Sequence, residues 1–264
     1  MHQVPPEYVG LWRRDRIVHP DGTRDVTTEV YWLQSHGLYV DLRIPQPRPD
    51  FRGYRRVEDL PPELLAWLQH QEGFAGTLAV NDSICRWQRD LDYQPPGEFE
   101  DIGQARFING ALMIETGVLV EYDEVWRKSV LNRDAGVLAM RVRKHEGNRE
   151  GVLVAVGDYF MYAIDRAHPL PLQAAGEVST RTWNLAHFDC EIGFGRIRGA
   201  SSPWLIERCS LPFREGECLL EPSAATPVSG ECWTPPAGCM LEKAGAQWTV
   251  MECTPDFTGF NGDG

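Results

Sequence analysis

The chain has 264 residues, of which 42% are hydrophobic and 24% charged, and it carries a net charge of −12 at pH 7. That length supports one large core or two of average size, and the negative charge repels phosphate backbones, which argues against nucleic-acid partners. No stretch approaches the roughly 18 uncharged apolar residues of a membrane-crossing helix, and the opening residues, MHQVPPEYVG, hold no apolar run of signal-peptide length, so a cytoplasmic protein with no membrane partner is expected.

In chain order, Gly10-Leu11-Trp12 opens the first extended stretch, followed by a cluster of Arg13, Arg14 and Arg16. Asp21-Gly22 has the composition of a hairpin turn. Thr27 to Gln34 and Leu38 to Ile44 alternate with period two, as half-buried strands do. In the second of these, Val40, Leu42 and Ile44 share one face, and Tyr39, Asp41 and Arg43 the other. Residues 45–59 are rich in Pro and Arg and read as irregular. Pro61-Pro62 then opens a helix whose apolar face is Leu64, Leu65, Trp67 and Leu68, with Gly73 at its end. This insertion of about 28 residues is long for a simple connection. It fits either a cap over a barrel mouth or a plug in the closed end.

Ile84 to Tyr93 places Cys85, Trp87, Arg89, Leu91 and Tyr93 on one side of a strand. Asn109-Gly110 is a second hairpin dipeptide, joining 106–108 to 111–116. A turn at Leu131–Gly136 starts the second half, where Val137–Lys144, Gly151–Ile164, Arg181–Ile197 and Trp204–Ser210 read as strands. Gly157 marks a bulge or bend. The last strands fall near Cys239–Leu241 and Gln247–Glu252, before a Gly-rich tail. Six of the seven Cys lie after residue 189, and no two stand two to four residues apart. Reduced thiols and no zinc site follow from that spacing.

Four stretches carry a resemblance. They are Leu38-Tyr39-Val40-Asp41-Leu42-Arg43; Phe74-Ala75-Gly76-Thr77 with Val80-Asn81-Asp82; Ile114-Glu115-Thr116-Gly117 with Glu124-Val125-Trp126; and Gly151 to Tyr159. In this order and spacing the chain resembles the Hri family of fungal proteins and their bacterial relatives. The resemblance covers about Tyr8 to Glu252 and implies an all-β, mainly antiparallel fold of two calycin-like (lipocalin-like) barrels. One barrel would occupy residues 1–130, with the helical insertion at 45–73, and the other residues 131–264. It implies no particular reaction. By likeness to the lipocalin Gly-x-Trp motif, Trp12 becomes a structural plug at a closed barrel end, with Arg13 or Arg14 packed over it.

Inward faces of a small barrel are natural pocket walls. Tyr39, Arg43, Trp87, Arg89, Tyr93 and Trp126 are therefore the candidate ligand-binding residues, combining flat apolar area with fixed cations. They suit a small apolar or aromatic anion, unless Arg43 merely pairs with Asp41. Glu115, among rings, is the candidate acid or base. His187, Asp189 and Glu191 share a strand face that reads as solvent-facing. Nucleotide-loop and hydrolase motifs are absent, and no cofactor or metal is expected. Three readings follow: a small-molecule binder; a cofactor-free isomerase, cyclase or hydratase; and a homodimeric interaction module with filled barrels.

Overall fold

The computed structural model describes residues 4–95, 97–129, 136–144, 149–170, 183–197, 204–220, 240–243 and 246–256. The first half contains β1 (Gly10–Val18), β2 (Arg24–Asp25), β3 (Glu29–Gln34), β4 (Leu38–Ile44), α1 (Pro62–Leu68), β5 (Glu72–Asn81), β6 (Ile84–Asp92), β7 (Asp101–Asn109), β8 (Leu112–Gly117) and β9 (Asp123–Lys128). Strands β3 to β9 pair antiparallel with their sequence neighbours, β1 pairs with β3, and β1 also pairs with β9. That last pairing closes an eight-stranded up-and-down barrel and leaves no open edge. The two residues of β2 add to the end of β1. Both hairpin dipeptides turn where expected: Gly22 has φ +83°, a value that glycine adopts at no steric cost, and Asn109-Gly110 joins β7 to β8.

The alternation in β4 sorts side chains between two cores. Leu38, Val40, Leu42 and Ile44 face away from the barrel into a large apolar core shared with the second half. Tyr39 belongs to a separate cluster inside the barrel, with Tyr8, Trp12, Trp32, Phe74, Cys85, Trp87, Met113 and Trp126.

The second half contains β10 (Val137–Lys144), β11 (Glu150–Val156), β12 (Tyr159–Ile164), β13 (Glu191–Arg196), β14 (Leu205–Cys209), β15 (Met240–Lys243) and β16 (Ala246–Asp256). They form one antiparallel sheet in the order β14-β13-β12-β11-β10-β16-β15. Among the described residues this sheet has no pairing that joins its two ends. Every residue from Gly151 to Val156 is buried, because β11 packs one face on β3 and β4 and the other within its own half. The halves are also joined by a Tyr31–Phe194 stack at 4.4 Å and by ion pairs Arg48–Glu215, Arg141–Asp90 and Arg208–Glu29.

The insertion neither caps nor plugs the barrel. Phe51, Val57, Leu60, Leu64 and Leu68 bury against the second half, and Gln71 Nε2 donates to Ser210 O at 2.8 Å. Helix α1 stops at Leu68, earlier than Gly73, which lies inside β5. Gly73 is there for closeness: a Cβ would lie 2.8 Å from Asp41 O and 2.9 Å from Ile192 Cδ1. Gly157 does bend the chain, at the β11–β12 hairpin with φ +60°. His187 is not on a strand face. The side chain of Asn184 accepts from the Ala186 N–H, and His187 Nδ1 accepts the Asn184 N–H, so Leu185–Asp189 coil into a 3-10 turn with His187 buried. Local side-chain capping has overridden the period-two pattern. No helix among the described residues is long and apolar enough to cross a membrane.

Candidate functional site

The barrel interior has two layers. The narrow end is aromatic. Trp12 is fully buried, its indole donates to Tyr8 O at 2.7 Å, and it stacks on Trp32 at 6.0 Å. Trp87 and Trp126 meet Trp32 edge-on at 5.9 and 5.6 Å. Trp12 thus sits where a plug would. The cation over its ring is Lys128, at 5.0 Å, in place of the expected arginines. Arg13 points outward onto Tyr31, because adjacent strand residues face opposite ways.

The wide end is ionic. Arg14, two residues after Trp12, turns inward; its guanidinium donates to Glu124 Oε1 at 2.7 Å and to Asp25 Oδ2 at 3.1 Å. Arg43 Nε donates to Asp41 Oδ1 at 2.9 Å, and Nη1 lies 3.8 Å from Glu124. Arg89 lies over the Phe74 ring at 3.6 Å and pairs with Asp92 and Asp101. Glu115 stands opposite Glu124 across β8 and β9 and accepts from Tyr122 Oη at 2.8 Å. Gly103 makes the room, since a Cβ there would lie 2.9 Å from Glu115 Cγ.

Burial, followed by the charges of Glu124 and Asp101, holds the Glu115 carboxyl well above the usual range. Burial also pushes Asp41 up to about 6 despite the pull of Arg43. Such a layer costs stability. Each buried ion forfeits several kcal/mol of hydration, roughly, before pairing returns part of it. The four tryptophans below offset that cost, each gaining roughly 5 kcal/mol if about 200 Å² of its surface is buried.

A recess of about 300 Å³ lies above the ionic layer, lined by Arg14, Ile17, His19, Asp25, Thr28, Arg43, Pro45, His70 and Glu72. The two ends of the insertion, at Pro45 and His70, thus flank the entrance. Trp126 is 2% exposed, and its indole N–H has no hydrogen-bond partner. A buried donor without an acceptor is costly and uncommon in a purely structural core. Among the described residues no group of three or more His, Cys, Asp or Glu side chains is arranged to hold a metal ion.

Of the residues singled out in sequence, Tyr39, Arg43, Trp87, Arg89, Trp126 and Glu115 converge on this barrel. Tyr93 does not. The register of β6 against β5 shifts between Ala75 and Gly76, leaving Asp90 as an extra residue. The bulge reverses the alternation. Leu91 and Tyr93 therefore join the inter-half core, where Tyr93 Oη donates to Leu68 O at 2.9 Å. The cations expected to receive an anion, Arg43 and Arg89, already have carboxylate partners. Arg14, expected over Trp12, and Glu124, of the motif that ends in Trp126, complete the layer. Their signal was parity: each stands two residues from an inward tryptophan.

No family model matches the chain, and no curated protein matches it. Among solved structures it is similar to the uncharacterized protein YLR301w from Saccharomyces cerevisiae, at 15% identity and TM-score 0.54, covering 93% of this chain and 98% of that one. It is also similar to a lipocalin-like protein from Bacteroides uniformis, at 10% identity and TM-score 0.32, over 47% of this chain and 99% of that one. The likeness to the yeast protein is one of fold and spans both halves. The chain is an antiparallel β-barrel protein with a second antiparallel sheet packed on the barrel.

Proposed function

We propose that the first barrel, residues 1–130, binds a small molecule at its wide end, the ligand presenting an anionic, acceptor-rich head to Arg14 and Arg43. One observation carries this reading: Arg14 and Arg43, held in the buried charged layer of a closed barrel, line a recess of about 300 Å³. A barrel built only for stability would be filled with apolar side chains. Tyr39, Trp87 and Trp126 form the floor under the head group, and the aromatic or apolar body of the ligand lies toward the entrance. Kinship with the Hri proteins belongs to the same proposal, and the order and spacing of the four resembling stretches support it.

Native mass spectrometry of the purified protein, followed by denaturing release, tests the reading. A small molecule released from the wild type is expected, and Arg14→Lys, which loses the planar fork, should release less. A bare protein mass in both samples argues against the binder. Glu115, buried beside Tyr122 Oη with its carboxyl pushed well above the usual range, favours a second reading, in which the barrel is a cofactor-free isomerase, cyclase or hydratase. In that case Glu115→Gln retains a molecule chemically different from the one the wild type releases. The same molecule in both proteins leaves the binder alone.

A further inference from the structure

The groups around the recess are unevenly balanced. From β1 comes Arg14, from β2 Asp25, from β4 Asp41 and Arg43, from β5 Glu72, and from β6 Arg89 and Asp92. Asp101 on β7, Glu115 on β8 and Glu124 on β9 complete the set. Strand β3 contributes Trp32 opposite Asp41. Three arginines thus face seven carboxyls. A bare anion entering here would meet a surplus of its own charge. Yet the cations that line the recess, Arg14 and Arg43, are fixed arginines suited to a carboxylate. The surplus of negative charge is met by an anion that arrives with a proton.

We propose that the first barrel takes up an aromatic carboxylate together with one proton, the ligand's carboxylate displacing Asp41 from Arg43 and the proton coming to rest on Asp41. This deepens the binding reading above and rests on it. The geometry singles out Asp41. Arg43 lines the recess with its side chain 19% exposed, while the Asp41 side chain behind it is 3% exposed. A ligand therefore reaches the guanidinium from the solvent side, and the carboxylate it replaces has no water to turn to. A buried carboxylate stripped of its donor protonates. The balance is simple: the Arg43–Asp41 hydrogen bond is exchanged for an Arg43–ligand hydrogen bond, and one proton from solvent neutralises Asp41. The value of about 6 that burial gives Asp41 means that the protein already holds this proton at mildly acidic pH and must acquire it at neutral pH.

The test is calorimetric titration of the purified full chain with benzoate at pH 5.5 and 7.5, in two buffers of different ionisation enthalpy. Benzoate is ionised at both. The Kd should be about 20- to 30-fold weaker at pH 7.5, as one-proton linkage requires, with close to one proton taken up per benzoate at pH 7.5 and about a quarter of one at pH 5.5. Asp41→Asn mimics the protonated carboxyl. It should bind at pH 7.5 about as tightly as the wild type at pH 5.5, without proton uptake. Equal Kd values and no proton uptake in the wild type overturn the proposal while leaving a binding barrel. A pH dependence that survives in folded Asp41→Asn moves the proton to His19 or His70, the imidazoles lining the recess, and overturns the assignment to Asp41. Absence of benzoate binding at both pH values overturns the coupled uptake, and only a bare native mass would remove the binding reading with it.

Discussion

The two halves solve the problem of a β-sheet interior in opposite ways. The second half buries an almost continuous apolar run, with Val152, Leu153, Val154, Ala155 and Val156 on β11 against Phe160 and Met161 on β12. The first barrel devotes its narrow end to tryptophan and its wide end to buried arginines and carboxyls. An apolar core is governed by shape and is indifferent to pH. An ionic layer is governed by pairing, and loses most when one partner is removed. The contrast supports the proposal that the first barrel is the binding half.

Removing a charge should separate the halves most sharply. Arg14→Ala strands Glu124, whose side chain is 3% exposed, and should cost about 3–5 kcal/mol, read as a lower denaturant midpoint. In the apolar half, Leu138→Ala should cost about 2–4 kcal/mol through its cavity, and that loss should be the same at pH 5 and pH 7.5. A pH-dependent loss there would break the comparison.

Asp41 sharpens it further. Its carboxyl binds a proton more tightly folded than unfolded, so its contribution is fully present below about pH 4 and is lost as pH rises through about 6. The shift of roughly two units corresponds to about 3 kcal/mol. Other carboxyls move the opposite way, at lower pH. Burial opposes the charge of Asp25, but donors from Thr27 and Thr28 outweigh it and hold its carboxyl below the usual range. In Asp41→Asn the stability change between pH 4.5 and 7.5 should shrink by about 2 kcal/mol, because at pH 4.5 part of the 3 kcal/mol is already lost. An unchanged profile would remove Asp41 as the titrating group. The smallest effect is expected at the surface, where Arg52→Ala, at an arginine 91% exposed and paired with Asp50, should leave the denaturant midpoint at the wild-type value.

Much of the barrel was legible in the sequence because period-two patterns report faces directly. Leu38 to Ile44 separated the inter-half core from the barrel interior residue by residue, and Glu115 and Trp126 came out on the inward side. What failed did so where one residue breaks the period. The extra Asp90 moved Tyr93 out of the barrel, and the Asn184 cap turned a strand-like His187 face into a 3-10 turn. Arg43 pairs with Asp41 on its own strand, the alternative that its spacing already offered, whereas Glu124 and Asp101 reach Arg43 and Arg89 only through β9 and β7, neighbours that no local pattern encodes.

The pairing of β1 with β9 sets an order of events during synthesis. Gly10–Val18 emerge first but find their final neighbour only when Asp123–Lys128 have been made. Until the later β11, β12 and β13 arrive, the outer wall of β4, with Leu38, Val40, Leu42 and Ile44, has nothing to cover it. A nascent chain halted after the barrel would show the ribosome's chaperones an oily flank, so the second half serves the first as its built-in escort.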